Sequence, residues 1–170
     1  LDPTVDGMKT GHTDSSGYSM IASARRPNGG TGERRLISVV LGTSSTDVRT
    51  QESQKLLNWG FQNFDTVKLY SKGQAIQTPE VWKGSQPNVK IGFTRDILVT
   101  VPKGVAGKLK PVLERRDPLV APLARNGQVG TLKMTVDGKA LLVLPVVALE
   151  EVQEAGIFGR AWDSMRLWMQ

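Results

Sequence analysis

Seven prolines fall between residues 79 and 145, at Pro79, Pro87, Pro102, Pro111, Pro118, Pro122 and Pro145. No long helix survives that density, because each proline lacks an amide N–H and clashes with the preceding turn. Strand edges and loops tolerate it. Short apolar runs lie before and between these prolines: Thr66–Tyr70, Glu80–Lys83, Val89–Phe93, Ile97–Val101, Val129–Val136 and Ala140–Leu144. Each is bounded by Gly, Pro, Asn or Asp, which reads as a series of strands and turns. Asp137-Gly138, set between two such runs, carries the signature of a two-residue hairpin turn. Residues 65–152 are therefore expected to form a small all-β unit, a sandwich or open barrel.

The texture before residue 65 differs. Thr43-Ser44-Ser45-Thr46-Asp47 offers several helix N-caps ahead of a stretch running to about Phe64. In that stretch Val48, Leu56, Leu57, Trp59, Phe61 and Phe64 recur at helical spacing, while Arg49, Glu52, Lys55 and Gln62 fall mostly on the other side. Upstream, Gly17–Arg25 alternates as a strand, and a glycine-rich turn follows at Pro27–Gly32. Leu36–Leu41 is a β-branched apolar run that fits a central strand buried on both faces. The two strands are expected to pair antiparallel. Leu1-Asp2-Pro3-Thr4-Val5-Asp6-Gly7 reads as loop and turn, with Asp6-Gly7 as the tight-turn dipeptide, as for a chain that starts in mid-domain.

Several chemistries are excluded. The chain has no cysteine and one histidine, His12, so thiol catalysis, zinc ribbons and histidine-rich metal sites are out, and no metal or cofactor is implied. The formal net charge is +6 with a pI near 9.8, but Arg25-Arg26, Arg34-Arg35, Lys108–Lys110 and Arg115-Arg116 are dispersed. Without a basic helix carrying interleaved aromatics, no nucleic-acid partner is expected. At the far end Ile157, Phe158, Trp162, Met165 and Met169 recur at helical spacing, with Arg160, Asp163 and Arg166 opposite. Residues 153–170 are thus expected to form an amphipathic helix, with residues 155–170 lying on a membrane surface.

One dense cluster carries chemistry: Asp6-Gly7-Met8-Lys9-Thr10-Gly11-His12-Thr13. Lys-Thr-Gly on a strand is one of the signatures of serine β-lactamases and penicillin-binding proteins. A lysine there sets a positive potential, a threonine hydroxyl can meet a carboxylate, and a glycine lets a peptide lie alongside the strand. With Gly17-Tyr18, Arg34–Gly42, Arg49, Glu52-Ser53 and Leu56-Leu57-Asn58-Trp59-Gly60-Phe61, the chain resembles a low-molecular-mass penicillin-binding protein. More specifically, it is similar to the D-alanyl-D-alanine carboxypeptidases of Gram-negative cell walls.

That resemblance implies an α+β fold. Residues 1–64 would be the last strands and final helix of a penicillin-recognising domain, 65–152 a β-rich stalk, and 153–170 an anchor helix on the outer face of the inner membrane, placing the protein in the periplasm. It implies Lys9 and His12 as catalytic positions, the latter through its backbone N–H in an oxyanion hole. Thr10, Gly11 and Arg49 would bind the carboxylate-bearing substrate. The partners it implies are the D-Ala-D-Ala stem peptide of peptidoglycan and β-lactams. The family's Ser-x-x-Lys nucleophile motif and its Ser-x-Asn motif are both absent from these 170 residues. A chain without them is expected to be inactive alone. The alternative is a non-catalytic β-module with a membrane-binding tail that positions a partner near the cell wall.

Overall fold

The computed structural model describes residues 2–29 and 32–156. The expected tail helix, at residues 153–170, lies almost wholly outside them. Among the described residues the chain forms two compact units. The first takes the residues up to Val67 together with Val99–Ala106; the second takes Lys68–Leu98 and the residues from Gly107 onward.

The first unit holds an antiparallel sheet in the order β1-β2-β3, from Val5–Thr13, Gly17–Pro27 and Glu33–Thr43, and one helix, α1, at Thr46–Asn63. Alternation along β2 sends Met20, Ala22 and Ala24 to one face, where they are buried with Leu57 of α1. Gly60 lets the helix approach β3, since a Cβ there would stand 2.8 Å from the Leu36 side chain. Ser45 caps α1 by accepting the Val48 N–H at 3.2 Å, with Asp47 in the first turn. The last turn has no basic residue, yet its carbonyls are not left bare. Arg34 donates from β3 to the carbonyls of Phe61 at 3.0 Å and Phe64 at 2.5 Å.

Three sequence expectations are corrected here. The Leu36–Leu41 run is not a central strand buried on both faces: β3 is an edge, and α1 covers one of its faces. On the uncovered face Ile37 is 66% and Leu41 71% exposed, with Val39 and Ile21 beside them. Asp6-Gly7 is not a tight turn. Both residues lie within β1, where the pairing shifts register between Val5 and Gly7, so the dipeptide makes a bulge. Within α1, Leu56 and Trp59 are exposed and the buried positions are Ser53 and Leu57. The helix is as expected, but part of its apolar face, at Leu56 and Trp59, is left uncovered.

In the second unit a five-stranded antiparallel sheet runs β5-β7-β12-β11-β9, from Ala75–Gln77, Ile91–Gly92, Lys139–Ala148, Gln128–Val136 and Lys110–Arg115. A short parallel pair joins β6, Val81–Trp82, to β10, Leu119–Val120. Val89, Ile91, Leu132, Val146 and Val152 fill the core. Two further strands, β4 at Phe64–Tyr70 and β8 at Ile97–Pro102, form a two-stranded sheet, each running from one unit into the other. The β11–β12 hairpin turns on Asp137 and Gly138, with φ of 49° and 80°, as the dipeptide foretold. Pro145 sits inside β12 without breaking it, at a point that β7 does not reach, because β7 pairs with Val147 and Ala148.

Backbone packs on backbone at Gly92, where a Cβ would come within 2.3 Å of the Gln74 carbonyl oxygen. Gly92→Ala is therefore expected to cost about 1–3 kcal/mol, as overpacking does. Chemical denaturation followed by circular dichroism measures it.

Candidate functional site

Strand β1 is bound to β2 on one side and, among the described residues, has no strand on the other. Its register pairs Lys9 with Ile21, Thr10 with Met20, Gly11 with Ser19 and His12 with Tyr18. Because side chains alternate along a strand, Thr10 and His12 point to the face that α1 covers, and Lys9 and Gly11 to the opposite face. The sheet thus splits the four motif residues into two pairs on either side of one free edge.

Lys9 is exposed, and its Nζ donates to the Thr10 carbonyl at 2.7 Å. Gly11 is exposed, and a Cβ built there would meet nothing within 4 Å. The glycine is not required by the packing of this chain. On the helix side the His12 ring stacks on Tyr18, with centroids 4.0 Å apart and planes inclined by 28°. The Arg49 guanidinium stands 5.5 Å from the centroid of the same Tyr18 ring. From α1 it donates to the Gly11 carbonyl at 3.1 Å and to the Ser19 carbonyl at 3.4 Å. The structure therefore brings Arg49, Gly11, His12 and Tyr18 into one contact group, with Thr10 next to it on the strand and the Lys9 side chain across the sheet.

Tyr18 carries more of this geometry than its sequence suggested. It is the surface on which both His12 and Arg49 rest. The available signal was its place opposite His12 across the Asp14–Ser16 turn, which becomes readable once the hairpin register is known. Thr13 Oγ1 tightens that turn by accepting the Ser16 N–H at 3.0 Å.

At the other end of β1, Asp6 gathers charge. It accepts from Ser23 Oγ at 2.6 Å, from the Arg35 guanidinium, and pairs with Arg25 at 2.9 Å. These contacts, the Ser23 hydroxyl first, hold its carboxyl below the usual carboxylate range. Asp2 is held lower, at about 2, by the Thr4 hydroxyl, then the Thr4 N–H and then Arg26.

Residues 64–154 match the model of the family described as "Penicillin-binding protein 5, C-terminal domain", and residues 1–45 match "D-alanyl-D-alanine carboxypeptidase". The chain belongs to the penicillin-binding protein 5 family. It is 42% identical over 160 residues to D-alanyl-D-alanine carboxypeptidase DacA of Haemophilus influenzae, covering 94% of this chain and 40% of that protein. DacA of Escherichia coli strain K12 is 40% identical over 165 residues, covering 96% of this chain and 40% of its own length. Among solved structures, penicillin-binding protein 5 from Haemophilus influenzae superimposes with a TM-score of 0.81 at 39% identity, over 89% of this chain and 43% of that one. DacD from Francisella tularensis gives 0.61 at 33% identity, over 91% and 38%. The chain spans about two fifths of the length of these relatives.

Two outcomes follow from the geometry. Gly11→Ala is expected to change stability by no more than about 0.5 kcal/mol, as a site with open space and an ordinary strand backbone allows; denaturation midpoints check it. The Asp2 contacts stabilise the fold above the carboxyl's ordinary pKa of 3.8, and that contribution is lost as pH falls towards about 2. Asp2→Asn should therefore lower the melting temperature at pH 7, and its deficit against wild type should shrink below pH 3.

Proposed function

We propose that this chain is the C-terminal part of a serine-type D-Ala-D-Ala carboxypeptidase that trims the terminal D-Ala from peptidoglycan stem peptides and is acylated by β-lactams. The observation that carries this reading is the free edge of β1: open space at Gly11, with Arg49 fixed on the carbonyl of that same residue. A peptide laid along the edge extends the sheet by one strand through main-chain hydrogen bonds. Its terminal carboxylate meets the Thr10 hydroxyl and the Arg49 guanidinium, two donors set by different elements. Among the described residues Arg49 is held by carbonyls and an aromatic face rather than by a carboxylate, so no ion pair there cancels its charge.

In this scheme Lys9 supplies positive potential on the opposite face, towards the nucleophile that Ser-x-x-Lys would bring. The backbone N–H of His12 is one oxyanion donor; such donors are usually the largest electrostatic contribution to acyl transfer. The His12 side chain shapes the site through its stack on Tyr18. The apolar face of Ile21, Ile37, Val39 and Leu41 is where the rest of the parent domain would pack. The β-rich unit serves as a stalk. Residues 155–170 lie on the outer face of the inner membrane, which makes the parent a peripheral periplasmic protein.

Fluorescent penicillin tests the enzyme reading. The parent protein should form a stable adduct, and Arg49→Ala or Gly11→Val should slow its formation at least tenfold, while the 170-residue chain alone takes no label. An unlabelled parent would overturn the reading and favour a non-catalytic module. For the tail, flotation with anionic liposomes should recover the whole chain and lose it when residues 155–170 are removed; equal recovery ends the anchor proposal.

A further inference from the structure

Among the described residues, three guanidinium groups stand over aromatic rings, and two of them are taken up by the fold. Arg26 pairs with Asp2 at 2.7 Å and also donates to Asn58. Arg34 donates to the carbonyls at the end of α1. Arg49 differs. Both of its hydrogen bonds, to the Gly11 and Ser19 carbonyls, leave from one nitrogen, Nη1. A guanidinium carries five N–H donors in a planar fork. The Nη2 and Nε donors of Arg49 are therefore without a partner among the described residues.

Two carbonyls on one nitrogen give the group a pivot but do not fix its plane. The Tyr18 ring, 5.5 Å from the guanidinium carbon, supplies the second constraint. Tyr18 is itself set from several sides. It pairs with His12 across one ladder and with Thr43 across the other. Its carbonyl accepts from Thr43 Oγ1 at 3.0 Å, and that hydroxyl also lies 3.1 Å from the carbonyl of Ser45, the N-cap of α1. Gly17, just before it, has φ of 67°, and a Cβ there would stand 2.7 Å from the Thr43 carbonyl oxygen. The pairing of β2 with β3 shifts register between Tyr18 and Met20, so Ser19 has no partner on β3. The ring, the carbonyl next to it and the start of α1 thus form one assembly around Arg49. Among the described residues, Tyr18 is the one ring that touches both a motif residue of β1 and a cation of α1.

We propose that Tyr18 is a positioning residue for carboxylate recognition: its ring holds Arg49 so that the partnerless Nη2 and Nε donors keep one orientation beside β1. The inference rests on the carboxypeptidase reading and adds to it a residue that touches neither the ligand nor the reacting atoms. A free arginine side chain must be ordered when a carboxylate binds, and a ring that already holds it removes that cost. The stack on His12 gives the same ring a hold on β1, so the donors are set relative to the strand that carries the peptide. The effect falls on binding of the charged end and not on acyl transfer. The ring makes both contacts, so phenylalanine serves in its place.

The test compares acylation of the parent protein by benzylpenicillin and by its methyl ester, which lacks the carboxylate. Tyr18→Leu should slow acylation by the acid roughly fivefold, as loss of a partly buried cation–π contact implies. The rate with the ester should stay within about twofold of wild type, a span of a few tenths of a kcal/mol. For a peptide ending in D-Ala-D-Ala, KM should rise by the same factor as the acid rate falls, with kcat little changed. Tyr18→Phe should restore the acid rate, and Tyr18→Leu should cost nothing further in an Arg49→Ala background. Should Tyr18→Leu fail to fold, Tyr18→Met carries the same expectations. The proposal is overturned by an unchanged acid rate, by equal losses with acid and ester, by a Tyr18→Phe variant as slow as Tyr18→Leu, or by a further loss on top of Arg49→Ala. A parent that neither compound acylates overturns the carboxypeptidase reading and this inference with it; any of the other outcomes overturns this inference alone.

Discussion

The site depends on β2, which holds β1 in register from one side and, among the described residues, leaves its other edge without a strand. An edge strand of nine residues is ordinarily a liability, since its bare N–H and C=O groups invite other chains. Here several features limit that invitation. The bulge at Asp6-Gly7 breaks the regular spacing at one end. Arg49 occupies the Gly11 carbonyl from the helix side, and Lys9 Nζ occupies that of Thr10. Gly11 itself adds no side chain to the strand, and the space where its Cβ would stand is open.

Arg49 depends in turn on the packing of α1. The helix is fixed against β2 by Leu57 among Met20, Ala22 and Ala24, and its close approach to β3 requires Gly60. Its C-terminus is closed by Arg34 rather than by a residue of its own last turn. Arg26 and Arg34 both lie over the Phe61 ring, at 4.4 and 5.1 Å from its centroid, so one aromatic residue near the helix end organises two guanidinium groups. A helix anchored at both ends and by its buried face sets one guanidinium, Arg49, against a main-chain carbonyl at 3.1 Å.

Much of this was legible where a local rule decides the outcome. Asp137-Gly138 had to be a hairpin turn, because both positions need positive φ. Ser45 and the periodicity behind it had to start a helix. The Lys-Thr-Gly motif lies on a strand as expected. The misreadings arose where a local pattern has more than one tertiary solution. Asp6-Gly7 suits a turn and a bulge equally, and the pairing with β2 chose the bulge. β-branched residues on both sides of Leu36–Leu41 suggest a strand covered twice, but a strand's position in its sheet is set by partners distant in sequence. Two-residue strands such as β6 and β10 have no periodicity to read. Tyr18, with no motif of its own, acquired its place from cross-strand register.

The second unit obeys a different constraint. Its cohesion comes from a core of small and medium aliphatic side chains, Val89, Ile91, Val146 and Val152 among those most deeply buried. None of these carries a charge or a hydrogen-bonding side chain, so the core has no polar chemistry of its own. The unit's charges lie on the rim, where Glu114 pairs with Lys133, Asp96 with Lys68 and Arg115 with Asp117. Surface pairs of this kind are worth about 0–1 kcal/mol each, so the cohesion of the unit rests on its apolar core rather than on its charges.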